Sequence, residues 1–114
     1  MKAQLKVRAN LTIEIEAADQ KALFRGLASA QEVFGERACG KCKSADIVFR
    51  TRTVKGNDFY EVVCIRCRAV LSMGAHKQGE TLYPRRHVEG EGGVKEWLPD
   101  NGWQKWDPDA ERMV

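Results

Sequence analysis

The chain has 114 residues, 43% of them apolar, and nineteen Lys and Arg against sixteen Asp and Glu give a formal net charge of +3. That length suits one compact domain or a small domain with an appended module, and so small a surplus excludes a chain that is a polycation throughout. Residues 2–8, Lys-Ala-Gln-Leu-Lys-Val-Arg, hold no continuous apolar run, so neither a signal peptide nor a membrane span is expected, and the expected location is a reducing, cytoplasmic one.

The first element alternates. Leu5, Val7, Ala9, Leu11, Ile13 and Ile15 occupy odd positions, and Lys6, Arg8, Asn10, Thr12, Glu14 and Glu16 even ones. Period two predicts a half-buried strand, or a hairpin turning near Ala9-Asn10. Asp19 then reads as a helix N-cap. Leu23, Leu27, Ala30 and Phe34 come next on one helical face, and Gly35 is the stop. Gly26 inside this helix weakens it by about 1 kcal/mol relative to Ala, or lets another backbone approach closely. Residues 1–37 are thus a strand–helix element whose apolar faces must be covered by each other or by the cysteine-bearing segment after residue 37.

All four cysteines fall in two pairs of equal spacing, Cys39-Gly40-Lys41-Cys42 and Cys64-Ile65-Arg66-Cys67. Two intervening residues let a tight turn aim both sulfurs at one point. Two such turns make a closed tetrahedral four-thiolate site, the geometry of structural zinc. A disulfide framework would need a secreted context, and a redox Cys-x-x-Cys needs one pair in a βαβ setting. An iron site of the rubredoxin type usually has Gly after each second cysteine, where this chain has Lys43 and Arg68. One structural Zn2+ on Cys39, Cys42, Cys64 and Cys67 is therefore the expected cofactor. Four thiolates around a divalent ion carry a formal charge of minus two. Lys41, Lys43, Arg66 and Arg68 favour those thiolates, and they either only balance the site or also belong to a binding face.

Between the pairs, Ile47 to Val54 and Phe59 to Ile65 read as two strands joined by the turn Lys55-Gly56-Asn57-Asp58. Ala69 to Met73 adds a third strand, ended by Gly74, so the second unit spans 38–75. Arg50 and Arg52 are two apart and share a face, with Tyr60 and Val62 placed near them on the facing strand.

Residues 76–114 read as an irregular tail, first basic and then acidic. They hold Tyr83 and all three tryptophans, Trp97, Trp103 and Trp106. Each Trp is expected to pack down on the sheet or helix, because most Trp is largely buried; the functional alternative is a stacking platform for unpaired bases. Lys77, Arg85 and Arg86 around Tyr83-Pro84 combine cations for phosphate with a ring for a base. Across the chain, residues 41–86 carry ten Lys/Arg against four Asp/Glu, and 87–114 three against seven. A basic middle points to a polyanion, most commonly nucleic acid; the acidic end could fold over it or recruit a basic partner.

No Gly-x-Ser-x-Gly elbow, phosphate-binding Walker loop, His-Glu-x-x-His or dinucleotide fingerprint occurs. His76 and His87 read as loop residues, and the pairs Glu14/Glu16 and Asp107/Asp109 as solvated charge. No enzymatic activity is expected.

The paired knuckles on either side of a basic hairpin, residues 39 to about 73, resemble the zinc-ribbon family of transcription, replication and translation proteins. The wider layout, from the Ala-Ala-Asp-Gln-Lys-Ala-Leu-Phe helix to Asn101-Gly102-Trp103-Gln104-Lys105-Trp106, is similar to small bacteriophage zinc-ribbon proteins placed near recombination and replication genes. The resemblance implies a nucleic-acid context in a bacterial cytoplasm and carries over no catalytic residue. The expectation is an α+β protein with the strand–helix element beside a four-cysteine ribbon. It would bind nucleic acid, single-stranded DNA in the first place, through Arg50, Arg52, Arg66, Arg68, Lys77, Arg85 and Arg86, with Tyr83 or Trp103 stacking. The rival is an adaptor or inhibitor docking on a host polymerase, nuclease or defence complex, with the tryptophans as interface anchors.

Overall fold

A computed structural model describes residues 1–114, which divide into two compact units, Met1–Arg37 and Ala38–Val114. The fold is mixed α+β, with one α-helix and several antiparallel sheets.

In the first unit the alternating segment is a hairpin, β1 (Lys2–Arg8) and β2 (Leu11–Glu16), turning at Ala9-Asn10. Its register shifts between Lys6 and Arg8, so Val7 is an extra residue on β1, and its side chain is buried. Helix α1 (Gln20–Phe34) begins where expected, since the Asp19 carboxylate accepts the Ala22 N–H at 2.8 Å. The helix packs on both strands. Ala30 and Val33 are its buried residues, so Val33 takes the place expected for Phe34, which stays exposed. Gly26 lies on the packed face, and a Cβ there would meet Ile15 Cγ2 at 2.8 Å. What Gly26 admits is therefore a β-branched side chain.

The second unit is built on a four-stranded antiparallel sheet in the order β3 (Ile47–Val54), β4 (Asn57–Cys64), β5 (Val70–Ala75), β6 (Leu82–Pro84). The β3–β4 turn is shorter than the sequence suggests. Lys55 and Gly56 alone form it, with φ of 51° and 80°, the two positive values that a type I′ hairpin requires. Val54 therefore pairs with Asn57, Arg52 with Phe59 and Arg50 with Glu61. Tyr60 and Val62, expected beside the arginines, face the other way. Residues directly opposite share a face, and Tyr60 and Val62 pair with Thr51 and Phe49.

That register sorts the sheet. On the inner face Ile47, Val62, Cys64 and Leu71 form the core together with Cys39, Ala69 and Trp103. On the outer face lie Arg50 and Arg52 from β3, Phe59 and Glu61 from β4, Ser72 and Gly74 from β5, and Tyr83 from β6. Strand β5 runs on through Gly74, which was expected to end it, because β6 pairs with its second half. The Tyr83 ring fills the space a Gly74 side chain would occupy.

Residues 76–114 are not the irregular tail expected. Beyond β6 they form two small hairpins, β7 (His87–Glu89) with β8 (Lys95–Trp97) and β9 (Trp106–Asp107) with β10 (Arg112–Met113), plus 3-10 turns at Glu91–Gly93 and Pro99–Gly102. They share one unit with the sheet. Val70 and Gln104 exchange backbone hydrogen bonds at 2.8 and 2.9 Å, and the Arg85 N–H donates to the Ser72 carbonyl at 2.9 Å. Trp103 closes the core. No helix of the chain is long and apolar enough to cross a membrane.

Ala at a helix-interior Gly ordinarily gains about 1 kcal/mol, but overpacking against Ile15 costs about 1–3 kcal/mol. Gly26→Ala is expected to lower stability, measured by denaturant unfolding followed at the helix circular-dichroism band; a rise would show that Ile15 moves aside freely.

Candidate metal centre and outer sheet face

The two Cys-x-x-Cys segments fold as copies of one turn. In the first, the Lys43 N–H donates to the Cys39 carbonyl at 3.0 Å and the Cys39 N–H to the Ser44 carbonyl at 2.8 Å. In the second, the Arg68 N–H donates to the Cys64 carbonyl at 2.9 Å and the Cys64 N–H to the Ala69 carbonyl at 2.9 Å. Lys43 and Arg68, which stand where a glycine was anticipated, both adopt the left-handed conformation, with φ of 66° and 67°. The missing glycines thus leave the turn unchanged and cost it about 1 kcal/mol each in backbone strain. Within the first turn, the Lys41 N–H points at Cys39 Sγ at 3.3 Å, as expected of a donor to a thiolate.

These turns bring all four sulfurs within 4.8 Å of one another. Cys39 Sγ lies 3.6 Å from Cys67 Sγ, and Cys42 Sγ 3.5 Å from Cys64 Sγ. Sulfurs about 2.3 Å from a central ion stand about 3.8 Å apart at the corners of a tetrahedron, so the cluster fits a metal ion held by Cys39, Cys42, Cys64 and Cys67. Cys39 and Cys64 are buried, Cys67 is half-buried and Cys42 is exposed. Their acidities diverge. Burial pushes the Cys64 thiol up, but the Cys67 and Arg66 backbone N–H groups and the adjacent thiols outweigh it and hold Cys64 at about 7. Cys67 is pushed up to about 11, by burial first and then by the three sulfurs crowding it. Four thiolates this close require a cation between them.

Several of the cations beside the ligands are engaged. Lys41 Nζ contacts Asp100 at 2.6 Å, and its hydrogen bond holds the Asp100 carboxyl below the usual carboxylate range. Arg66 Nε contacts Asp46 at 2.6 Å. Lys43 Nζ donates to the Gly40 carbonyl at 3.1 Å. The Arg68 side chain is exposed.

The remaining sequence-predicted residues separate into groups. Arg50 and Arg52 both reach Glu61, whose side chain is 4% exposed, while their own are 43% and 46% exposed. Arg50 donates to Glu61 Oε1 through Nε at 3.1 Å and Nη2 at 2.7 Å. Arg52 donates through Nε to Oε1 at 2.9 Å and through Nη2 to Oε2 at 3.3 Å. Burial pushes the Glu61 carboxyl up, yet the hydrogen bonds and charges of Arg52 and Arg50 prevail and hold it below the usual carboxylate range. The Arg52 guanidinium also sits 4.6 Å from the Phe59 ring centroid.

Lys77, Arg85 and Arg86 do not form the single cluster their spacing suggests. Lys77 is in the β5–β6 loop, whereas Arg85 lies past the other end of β6, opposite Ser72. Arg86 Nη1 donates to the Asn101 carbonyl at 2.6 Å and ties down the turn before Trp103. Tyr83 is half-buried on the outer face, 4.9 Å from the His76 ring. Trp103 is corrected outright: at 1% exposure it offers no face to a base. Its ring lies over Gly40 of the first cysteine turn, where a Cβ would collide with it.

Sequence reasoning missed two features. Glu61 was not singled out, although a two-residue Lys55-Gly56 loop implies its pairing with Arg50. Trp97 was not chosen among the tryptophans. It is 68% exposed, 5.3 Å edge-on to the His87 ring, with Lys95 Nζ 5.5 Å from its centroid. Comparison of the chain with protein-family models, curated proteins and solved structures finds no match.

Purified protein is expected to carry one metal ion per chain by elemental analysis. Stripping it with a chelator should solvate Trp103 and shift the blue-most tryptophan emission to the red, because such sites couple binding to folding; an unmoved spectrum would mean that the core stands without metal. Arg68→Gly relieves a left-handed φ and is expected to raise stability by about 1 kcal/mol in denaturant unfolding of the metal-loaded protein.

Proposed function

We propose that the chain is a non-catalytic zinc-ribbon protein that binds single-stranded nucleic acid, DNA in the first place, on the outer face of the β3–β6 sheet. A closed four-thiolate tetrahedron matches Zn2+ and leaves no open position for water or substrate, so the metal holds the fold and performs no chemistry. The observation that carries the reading is the sharing of one sheet face by Arg50, Arg52 and Tyr83, with Arg85 continuing the row of Arg50, Glu61 and Ser72. Cations with an aromatic ring on a sheet surface suit a phosphate backbone with unpaired bases, and such binding tolerates sequence. Arg66, Arg86 and Trp103 have structural roles and are left out of the contact set; Arg68 and Lys77 flank it.

A second reading has its own observation. Trp97 stands exposed in a hairpin with Glu89, Glu91 and Glu96, an acidic setting that suits a basic protein partner better than phosphate.

Fluorescence anisotropy with labelled oligothymidine and duplex at two salt concentrations tests the proposal. The expected result is micromolar or tighter binding to the single strand. About three phosphate contacts would weaken it roughly twentyfold between 50 and 200 mM salt, and Arg85→Ala would lower the log–log slope by about 0.7. Absence of binding at the lower salt overturns the nucleic-acid reading.

A further inference from the structure

Resting on that reading, we propose that Arg50, Glu61 and Arg52 form one preorganised seat for a backbone phosphodiester, with Glu61 as a positioning residue that never touches the ligand. A buried carboxylate needs one guanidinium to offset its charge. Glu61 has two, so the trio keeps a net positive charge and holds it in place.

The donor inventory points the same way. A guanidinium has five N–H donors, and each arginine spends two on Glu61. Three remain on each, carried by side chains that are nearly half exposed, while the carboxylate lies beneath them. Arg50 is directly opposite Glu61, and Arg52 is its diagonal neighbour across the strand pair. Phe59, opposite Arg52, gives that guanidinium a second restraint at 4.6 Å. Two forks fixed side by side present donors in the geometry that matches phosphate oxygens. The rotamer entropy that free arginines lose on binding has already been lost on folding.

This arrangement predicts an effect opposite in sign to plain electrostatics. Glu61→Gln removes a negative charge, so if the arginines act as mere point charges it should tighten oligonucleotide binding. If the seat is preorganised, the same change frees both side chains and weakens oligothymidine binding by about five- to tenfold, even though the net charge has risen. Arg50→Lys with Arg52→Lys keeps every charge and loses the forks; it should weaken binding comparably and leave the salt slope unchanged. NMR of the arginine Nε–H groups supplies an independent readout. In wild type the Arg50 and Arg52 signals should be slow to exchange and should shift with oligothymidine, and in Glu61→Gln the protection should be lost.

Tighter binding by Glu61→Gln, or undiminished binding by the double lysine variant, overturns the seat and leaves the nucleic-acid reading standing. A wild type that binds no oligonucleotide overturns both. Shifts of the two Nε–H signals with inorganic phosphate alone, or with an acidic peptide in place of the oligonucleotide, assign the forks to another oxyanion and overturn the phosphodiester proposal.

Discussion

Four sulfur atoms gathered within 4.8 Å impose the constraint on which residues 38–114 are organised. Two of them hang from the first cysteine turn, ahead of β3, and two from the turn joining β4 to β5. Their convergence therefore closes the base of the sheet. Burial and mutual crowding make the cluster unstable as four thiolates, and a bound cation removes that conflict. With the base closed, Ile47 and Cys64 are brought together at the buried end of the β3–β4 pair, and the far end of the hairpin reaches into solvent. The core is small and lies against the sulfurs, on the inner face of the sheet. The outer face carries the charged trio of Arg50, Glu61 and Arg52.

On that outer face, folding has already settled how the arginines lie. An exposed arginine on a lone hairpin would sample many rotamers. Here a single carboxylate, itself shielded from water, fixes two of them and a ring steadies one. Removing either partner from a buried ion cluster is costly because the other charge is left uncompensated. The trio thus has a structural cost of failure as well as a binding consequence.

Much of this was legible in the sequence, and the misses share a cause. The period-two run, the Asp19 cap and the paired cysteines are local signals, and each specified its element: the β1–β2 hairpin, the start of α1 and the convergent turns. The positions of Glu61 and Trp103 depend on contacts distant in the chain. Placing the turn over four residues instead of two slides the pairing along β3, setting Glu61 opposite Arg52 instead of Arg50, and Tyr60 and Val62 lie off the arginine face in either register. Trp103 was a candidate for either core or surface because its neighbours are polar, and only the packing of Gly40 beneath it decides the matter. The Lys77, Arg85 and Arg86 group looked compact by number, but a strand intervenes and carries its members apart.

The burial of Trp103 over Gly40 also has a consequence for the order of events during synthesis. The floor of the core is made at residue 40, before any strand of the sheet, and its lid at residue 103, after all four. A chain growing at about 5–20 residues per second takes roughly 2–6 s to pass from Leu71, the last strand residue of the inner face, to the indole that covers it. During that interval β3, β4 and β5 can pair and the cysteines can take up metal, while Leu71 and Val62 remain open to water or to a chaperone. The last core side chain to arrive, Trp103, thus closes over cysteine turns that are already made.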